Sequence, residues 1–302
     1  FPKAVYLASL FEAQEIDHIH AHFATHPAAA AFIVHRFTGI PYSFTGHGSD
    51  LHRFQEMLCL KVREAAFVVA ISEYNRQFLV EHCGSEAASN IEVVHCGVDL
   101  QEFGDAQQIQ TNGSTGRPVV LCIGTLHEVK GQRYLLEAIA QLKNNGLDVE
   151  CQFVGGGPDR EALAAMAERL GIAGSVTFFG QRSREQVIAH LQEADVLVAP
   201  SVPSSDGRRE GIPVVLIEAM ASGVPVVASR LSGIPELVHH EETGLLAQPG
   251  ASEELAAAIR RLCEDGALAQ RLSREARAFV DAEFNLQRNS AALAQLFAEA
   301  PK

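Results

Sequence analysis

From Arg117 onward, short β-branched runs that are apolar at every position alternate with longer stretches of helical period. "VVLCIG" precedes a predicted helix over 131–143, and "VECQFV" runs through "GGGP" into one over 159–170. "VTFFG" leads to a helix over 184–191, and "DVLVAP" leads through a loop to the helix that carries Glu218. "VPVVAS", a short helix near 235–239 and "GLLA" follow. Strands without a polar face, each followed by a helix, predict a parallel sheet covered on both sides, a doubly wound α/β domain.

The first hundred residues repeat the style, with "DHIHAHF", "IPYSFTG", "AFVVAIS" and "IEVVHCG" as strands and helices between them. The polar stretch "QEFGDAQQIQTNGSTGRP" reads as a linker. After Ser252, leucines and alanines at helical spacing predict a tail of covering helices. The expected organisation is a first domain over 1–104, a linker over 105–117, a second domain over 118–280 and a helical tail over 281–302. Length agrees, since 302 residues suggest two domains at roughly 150 residues each. The first domain falls short of that size, and nothing before Phe1 supplies the opening strand and loop of a Rossmann-like half. It is expected to be incomplete.

Composition narrows the function. The net charge of −13 speaks against a general nucleic-acid surface, though not against a local basic pocket for phosphate. No apolar run is long enough to span a bilayer. The six cysteines (Cys59, Cys83, Cys96, Cys122, Cys151, Cys263) contain no CxxC pair, which favours a reduced cytoplasmic chain over a disulfide framework.

In open α/β sheets, ligands bind beyond the carboxyl ends of the strands, so the loops after strands carry the chemistry. "REGIPVVLIEAMASG" is the most informative of them. Pro213 suits a first helical turn, where its missing N–H is of no consequence. Gly211 lets backbone amides approach a ligand, and the helix N-terminus is a ready anion site. Glu218, one of the few polar residues in an apolar run, suits a vicinal diol such as a ribose, and Glu210 faces another part of the same ligand. His18, His20 and His22 share one strand face and could in principle hold zinc. No convincing shell completes such a site, and His20 or His22 lining an acceptor cleft is the better expectation. "VGGGPDR" lacks the G-x-G-x-x-G of a dinucleotide fingerprint and reads as a tight turn.

Glu210-x7-Glu218 followed by "GVPVVAS" and "SGIPELV" resembles glycosyltransferase family 4, retaining enzymes of the GT-B fold with two facing Rossmann-like domains. The likeness extends through "GTLHEVKG", "FFGQ", "DVLVAPS" and "EETGLLAQPG", and in the amino half through "IPYSFTGHGSD", "VVAISEYNRQFL" and "VVHCGVDLQEF". "HAHFATHPA" with "DGRREGIP" is similar to the exopolysaccharide and colanic-acid branch. The resemblance implies a nucleotide-sugar donor with its ribose on Glu218, its transferred sugar near Glu210 and His47, and its diphosphate near Lys130. Gly124, Thr125, Arg182, Gly211, Ile212 and Pro213 complete the implied donor site. One departure stands out: the family carries an arginine where this chain has Thr125, and Arg182, Arg208 or Arg209 is the substitute, or donor affinity is lower. The implied acceptor is a saccharide, lipid-linked by the exopolysaccharide likeness, with peripheral membrane contact on the cytoplasmic side, and no metal or other cofactor is implied. Asp50 reads as a helix N-cap. Two other readings stay open, a truncated nucleotide-binding module without transferase activity and a GT-B-shaped nucleotide-sugar epimerase.

Overall fold

Val119–Ile123 (β5), all but its last residue buried, sits in the middle of a six-stranded sheet because an apolar strand with no polar face is stable only when covered on both sides. The structure is a computed structural model and describes residues 2–104 and 116–300. It divides into two units. One comprises Phe1–Cys96, Asp206–Gly211 and Leu286–Lys302, and the other comprises Gly97–Ser205 and Ile212–Asn285.

In the first unit, α1 (Pro2–Ala13) leads to β1 (Ile19–His22) and α2 (His26–Thr38) leads to β2 (Tyr42–Gly46). Two short helices, α3 (Ser49–His52) and α4 (Leu58–Glu64), precede β3 (Phe67–Ala70), and α5 (Glu73–Cys83) precedes β4 (Ile91–Val93). The four strands are parallel in the order β1-β2-β3-β4, with Ile19 opposite Tyr42 and Ser43 opposite Phe67. Local chemistry sets the helix ends: Ser72 caps α5 by accepting the Asn75 N–H, and Gly39, in the left-handed region, ends α2. Tyr42, Phe44, Leu51, Leu58 and Leu79 form the heart of the core.

In the second unit, β5 is followed by α6 (Gln132–Asn144), β6 (Glu150–Val154), α7 (Arg160–Arg169), β7 (Val176–Gly180), α8 (Arg184–Glu193) and β8 (Val196–Ala199). Then come α9 (Val214–Ala221), β9 (Val226–Ser229), α10 (Ile234–Leu237), β10 (Leu245–Ala247), α11 (Ser252–Glu264) and α12 (Gly266–Glu283). All neighbours are parallel, in the order β10-β9-β8-β5-β6-β7. The chain reverses direction across the sheet between β5 and β8, the switch point at which such sheets open a ligand crevice. Ser183 and Gln186 form a reciprocal capping box that starts α8.

The strands stand where the periodicity predicts them, and the helices begin and end within a few residues of expectation. Residues 105–115 of the expected linker lie outside the described residues. α13 (Leu286–Glu299), from the expected tail, belongs to the first unit, where Phe297 packs on the rings of His18 and His20.

The cysteine expectation needs one correction. Cys59 in α4 and Cys83 at the end of α5 are joined as a disulfide, with Cα atoms 4.9 Å apart. The partners are 24 residues apart on two packed helices, and no local spacing announces such a pair. The other four cysteines are free, and burial pushes the Cys122 and Cys263 thiols up to about 12. Among the described residues no helix is long and apolar enough to cross a membrane.

Candidate functional site

The loops after β5 and β8 meet at the switch point of the second unit. Gly131 is left-handed (φ 66°), and a Cβ there would stand 1.9 Å from the Pro200 carbonyl oxygen, so only glycine fits. The Val202 N–H donates to the Val129 carbonyl at 3.0 Å and ties the two loops together. Lys130 precedes this contact, and its stem lies over Gly124, 3.5 Å from where a Cβ would be. The "GGGP" segment has a role that sequence reasoning missed. Gly155 and Gly157 let the backbone of the Gly124–Leu126 loop lie directly on them, and a Cβ at Gly155 would be 2.0 Å from the Gly124 carbonyl oxygen. The turn after β6 therefore moulds the loop after β5. Thr125 is exposed, and its carbonyl accepts the Gln132 side chain at 2.9 Å.

Glu218 lies on α9, one turn beyond Val214. Pro213 is not in the first turn as expected. It is the residue before the helix, with ψ 123°, and its carbonyl accepts the Leu216 N–H. That extended ψ is what directs the chain from the loop into the helix. Ile212 and Pro213 are buried there. The Glu218 side chain is only 12% exposed and is held by Arg184, whose Nη1 donates to Oε1 at 2.9 Å. Arg184 also pairs with Glu102, which pushes its pKa up first of all, with Glu218 adding to the effect. This three-residue ion network is absent from the sequence reading, because Arg184 is set apart by nothing in its neighbourhood. Arg182, two residues earlier, is exposed and stands over the Phe179 ring, 5.6 Å from its centroid.

The remaining expected site residues belong to the first unit. His47 follows β2, and Gly211 packs against it: a Cβ at Gly211 would be 2.5 Å from the His47 carbonyl oxygen. Glu210 is the neighbour of that contact and is half-buried. Arg209 and Arg208 are engaged in the same unit, Arg209 with the Tyr74 hydroxyl (3.2 Å) and Arg208 with Asp206 (3.0 Å).

Asp50 is not the helix N-cap of the sequence expectation; Gly48 is. Asp50 stands in the first turn of α3 with its carboxylate turned back, accepting the N–H groups of His47 (3.0 Å), Gly48 (2.7 Å) and, from the loop after β1, Ala24 (2.8 Å). One carboxylate thus fixes both loops that flank His47. The His47 imidazole pairs with His22, with His47 Nε2 3.1 Å from His22 Nδ1. Burial pulls the His47 pKa down, Asp50 partly restores it and His22 lowers it again.

The histidine row of β1 divides. His18 and His20 share the Ser43 hydroxyl at 2.7 Å each, and His20 also reaches Thr45 at 2.9 Å. Burial, with His22, His18 and His47 nearby, pulls the His20 pKa down to about 4. His20 therefore serves the sheet face beneath Phe297, and His22 is the exposed member. Among the described residues no group of three or more His, Cys, Asp or Glu side chains is arranged to hold a metal ion.

Residues 105–279 match the family described as Glycosyl transferases group 1, and residues 1–102 match Glycosyltransferase Family 4. The chain is similar to the amylovoran biosynthesis glycosyltransferase AmsK of Erwinia amylovora, 37% identical over 66% of this chain and 48% of that protein. It is also similar to a GDP-mannose-dependent alpha-(1-6)-phosphatidylinositol monomannoside mannosyltransferase of Mycolicibacterium smegmatis, 35% identical over 67% of this chain and 54% of that protein. The chain spans about half the length of these curated relatives. Among solved structures, HepE of Anabaena in complex with UDP and glucose matches with a TM-score of 0.84 and 25% identity, over 99% of this chain and 81% of that one.

Proposed function

Because the chain belongs to the glycosyl transferases group 1 family and has the α/β fold of GT-B type, we propose that the protein is a retaining glycosyltransferase. It moves a sugar from a nucleotide-diphosphate donor to a saccharide acceptor, lipid-linked as in polysaccharide assembly. The observation that carries this reading is at the switch point of the second unit. There Lys130 lies over Gly124 in a loop moulded by Gly155, and on α9 Glu218 is fixed by Arg184. A lysine beside a loop after a parallel strand suits a diphosphate, and an oriented carboxylate suits a ribose diol.

The chemistry follows from charge. As the glycosidic bond breaks, the diphosphate gains negative charge, and a fixed ammonium with helix-end amides stabilises that charge more in the transition state than in the ground state. Lys130, Gly124, Thr125, Ile212 and Pro213 bind that end of the donor. Arg182, which shares a unit with Lys130, supplies the second cation in place of the family arginine missing at Thr125. His47, Glu210 and Gly211 bind the transferred sugar. His47 is held neutral by burial, so it serves as a hydrogen-bond partner and not as a cation. Transfer with retention proceeds on the donor's front face without an enzyme nucleophile.

Calorimetric titration with UDP, GDP and their glucose and mannose conjugates, on this chain and on Glu218→Ala, tests the reading. One nucleotide is expected to bind and to lose tenfold or more in the variant, since hydrogen bonds to a charged group are worth about 1.5–3 kcal/mol. No binding by any nucleotide, or equal binding by the variant, would overturn the donor site. Binding without release of nucleotide from the conjugate, with or without acceptor, would leave only a nucleotide-binding module.

A further inference from the structure

Phe23 follows β1 and is the bulkiest residue among those with left-handed backbone, at φ 78°. An aromatic side chain rarely adopts that conformation, because its Cβ crowds the backbone, and such strain persists only where the surroundings impose it. Here they do. The Phe23 N–H donates to the Thr45 carbonyl at 2.9 Å, continuing the β1–β2 ladder, while its own carbonyl accepts the Ala28 N–H at 3.3 Å as α2 begins. The next residue, Ala24, is gripped by Asp50 and Lys61. The ring stays 49% exposed and lies against the His47 imidazole, with centroids 4.7 Å apart. The His22 ring is also close to His47, 5.4 Å away between centroids, and spends its Nδ1 on it. Among the described residues, no hydrogen bond engages the Nε2 of this exposed side chain. Neither the strain nor the exposure of a large apolar ring helps folding, and both occur beyond the carboxyl ends of β1 and β2, where parallel sheets bind ligands.

We propose that Phe23, with His22 and His47, is a stacking platform for a pyranose ring. An exposed aromatic face takes the C–H face of a sugar, and the imidazole edges beside it take the hydroxyl rim. The cluster does not suit a phosphate. Lys61, which reaches the neighbouring Ala24, is buried and turned to the Ala24 carbonyl, and burial pulls the His47 pKa down. The sugar comes from the donor or from the acceptor, which share this chemistry. The proposal deepens the transferase reading and rests on it for the meaning of the bound sugar, but its test needs no turnover.

The test is saturation-transfer NMR on the full chain with methyl α-glucopyranoside, methyl α-mannopyranoside, UDP-glucose and UDP. Saturation of carbon-bound ring protons is expected in at least one glycoside, marking an acceptor sugar, or only in the glucosyl part of UDP-glucose, marking the donor sugar. The signal should fall at least fivefold in Phe23→Gly and Phe23→Leu and persist in Phe23→Trp. Phe23→Gly should melt no lower than the parent, because glycine relieves the backbone. Phe23→Leu keeps the apolar bulk if the glycine variant unfolds. Absence of sugar saturation in the parent, an unchanged signal in Phe23→Leu, or saturation of the uracil protons of UDP that depends on Phe23 would overturn the platform. Failure of Glu218→Ala to weaken nucleotide binding would strike the donor site instead, leaving this result standing.

Discussion

Asp50 and Lys61 grip the two backbone polar groups of one residue. The Asp50 carboxylate accepts the Ala24 N–H at 2.8 Å, and the buried Lys61 ammonium donates to the Ala24 carbonyl. Lys61 is 2% exposed and Asp50 9%, so each charge is stabilised by backbone dipoles in place of water. Asp50→Ala leaves three backbone N–H groups without their acceptor and is expected to lower stability by about 3 kcal/mol or more, read from urea unfolding. Asp50→Asn, which keeps one acceptor oxygen, should cost less.

Gly131 allows a sharper comparison. Its Cβ position is 1.9 Å from the Pro200 oxygen, whereas Gly146, also left-handed, has nothing within 4 Å. Gly146→Ala is expected to cost about 1 kcal/mol, the backbone strain alone. Gly131→Ala adds the clash between two loops and should cost about 3 kcal/mol or more, with nucleotide binding lost alongside. Equal melting temperatures for the two variants would contradict the contact.

Arg184 fixes Glu218, and its removal tests whether that helps or hinders. Arg184→Met is expected to weaken nucleotide binding about three- to tenfold in the same calorimetric assay, because the carboxylate loses its set orientation. Tighter binding would mean that Arg184 competes with the ribose for the same oxygen.

His20 gives the first unit a pH signature. Its folded pKa of about 4 lies below the unfolded value of 6.5, so the folded chain holds fewer protons between these values. The stability it contributes is full above pH 6.5 and is lost as pH falls towards 4. At about 1.4 kcal/mol per pH unit this is on the order of 3 kcal/mol. Unfolding midpoints in urea should drop over this window, and His20→Gln should flatten the drop.

The Cys59–Cys83 disulfide closes a loop of 24 residues, and loss of such a loop closure costs about 3 kcal/mol. Thiol titration of the denatured, unreduced chain should find four thiols, rising to six after reduction, and Cys59→Ser with Cys83→Ser should unfold at lower urea. Six thiols without reductant would refute the pair.

The sequence by itself determined the strands, their parallel pairing within an α/β fold and the loops in which function would be sought. These depend on short-range rules: an apolar run such as Val119–Ile123 has no polar face to expose, and a residue such as Gly39 ends a helix by its own backbone freedom. The carboxylate on α9 was legible too, because Glu218 is an expensive residue in an apolar run unless something holds it. What holds it was not. Arg184 lies 34 positions away on another helix, and only the folded second unit brings its guanidinium to Glu218. The same is true of Asp50, whose distant partner Ala24 belongs to a different loop, of Gly155 beneath Gly124, and of Cys59 with Cys83. Phe23 is the clearest instance. In the sequence it is one more apolar residue after a strand, and only the hydrogen bonds before and after it, made to Thr45 and Ala28, turn its backbone left-handed and set its ring on His47. Periodicity records which face a residue serves, whereas such pairings depend on where the chain returns in space.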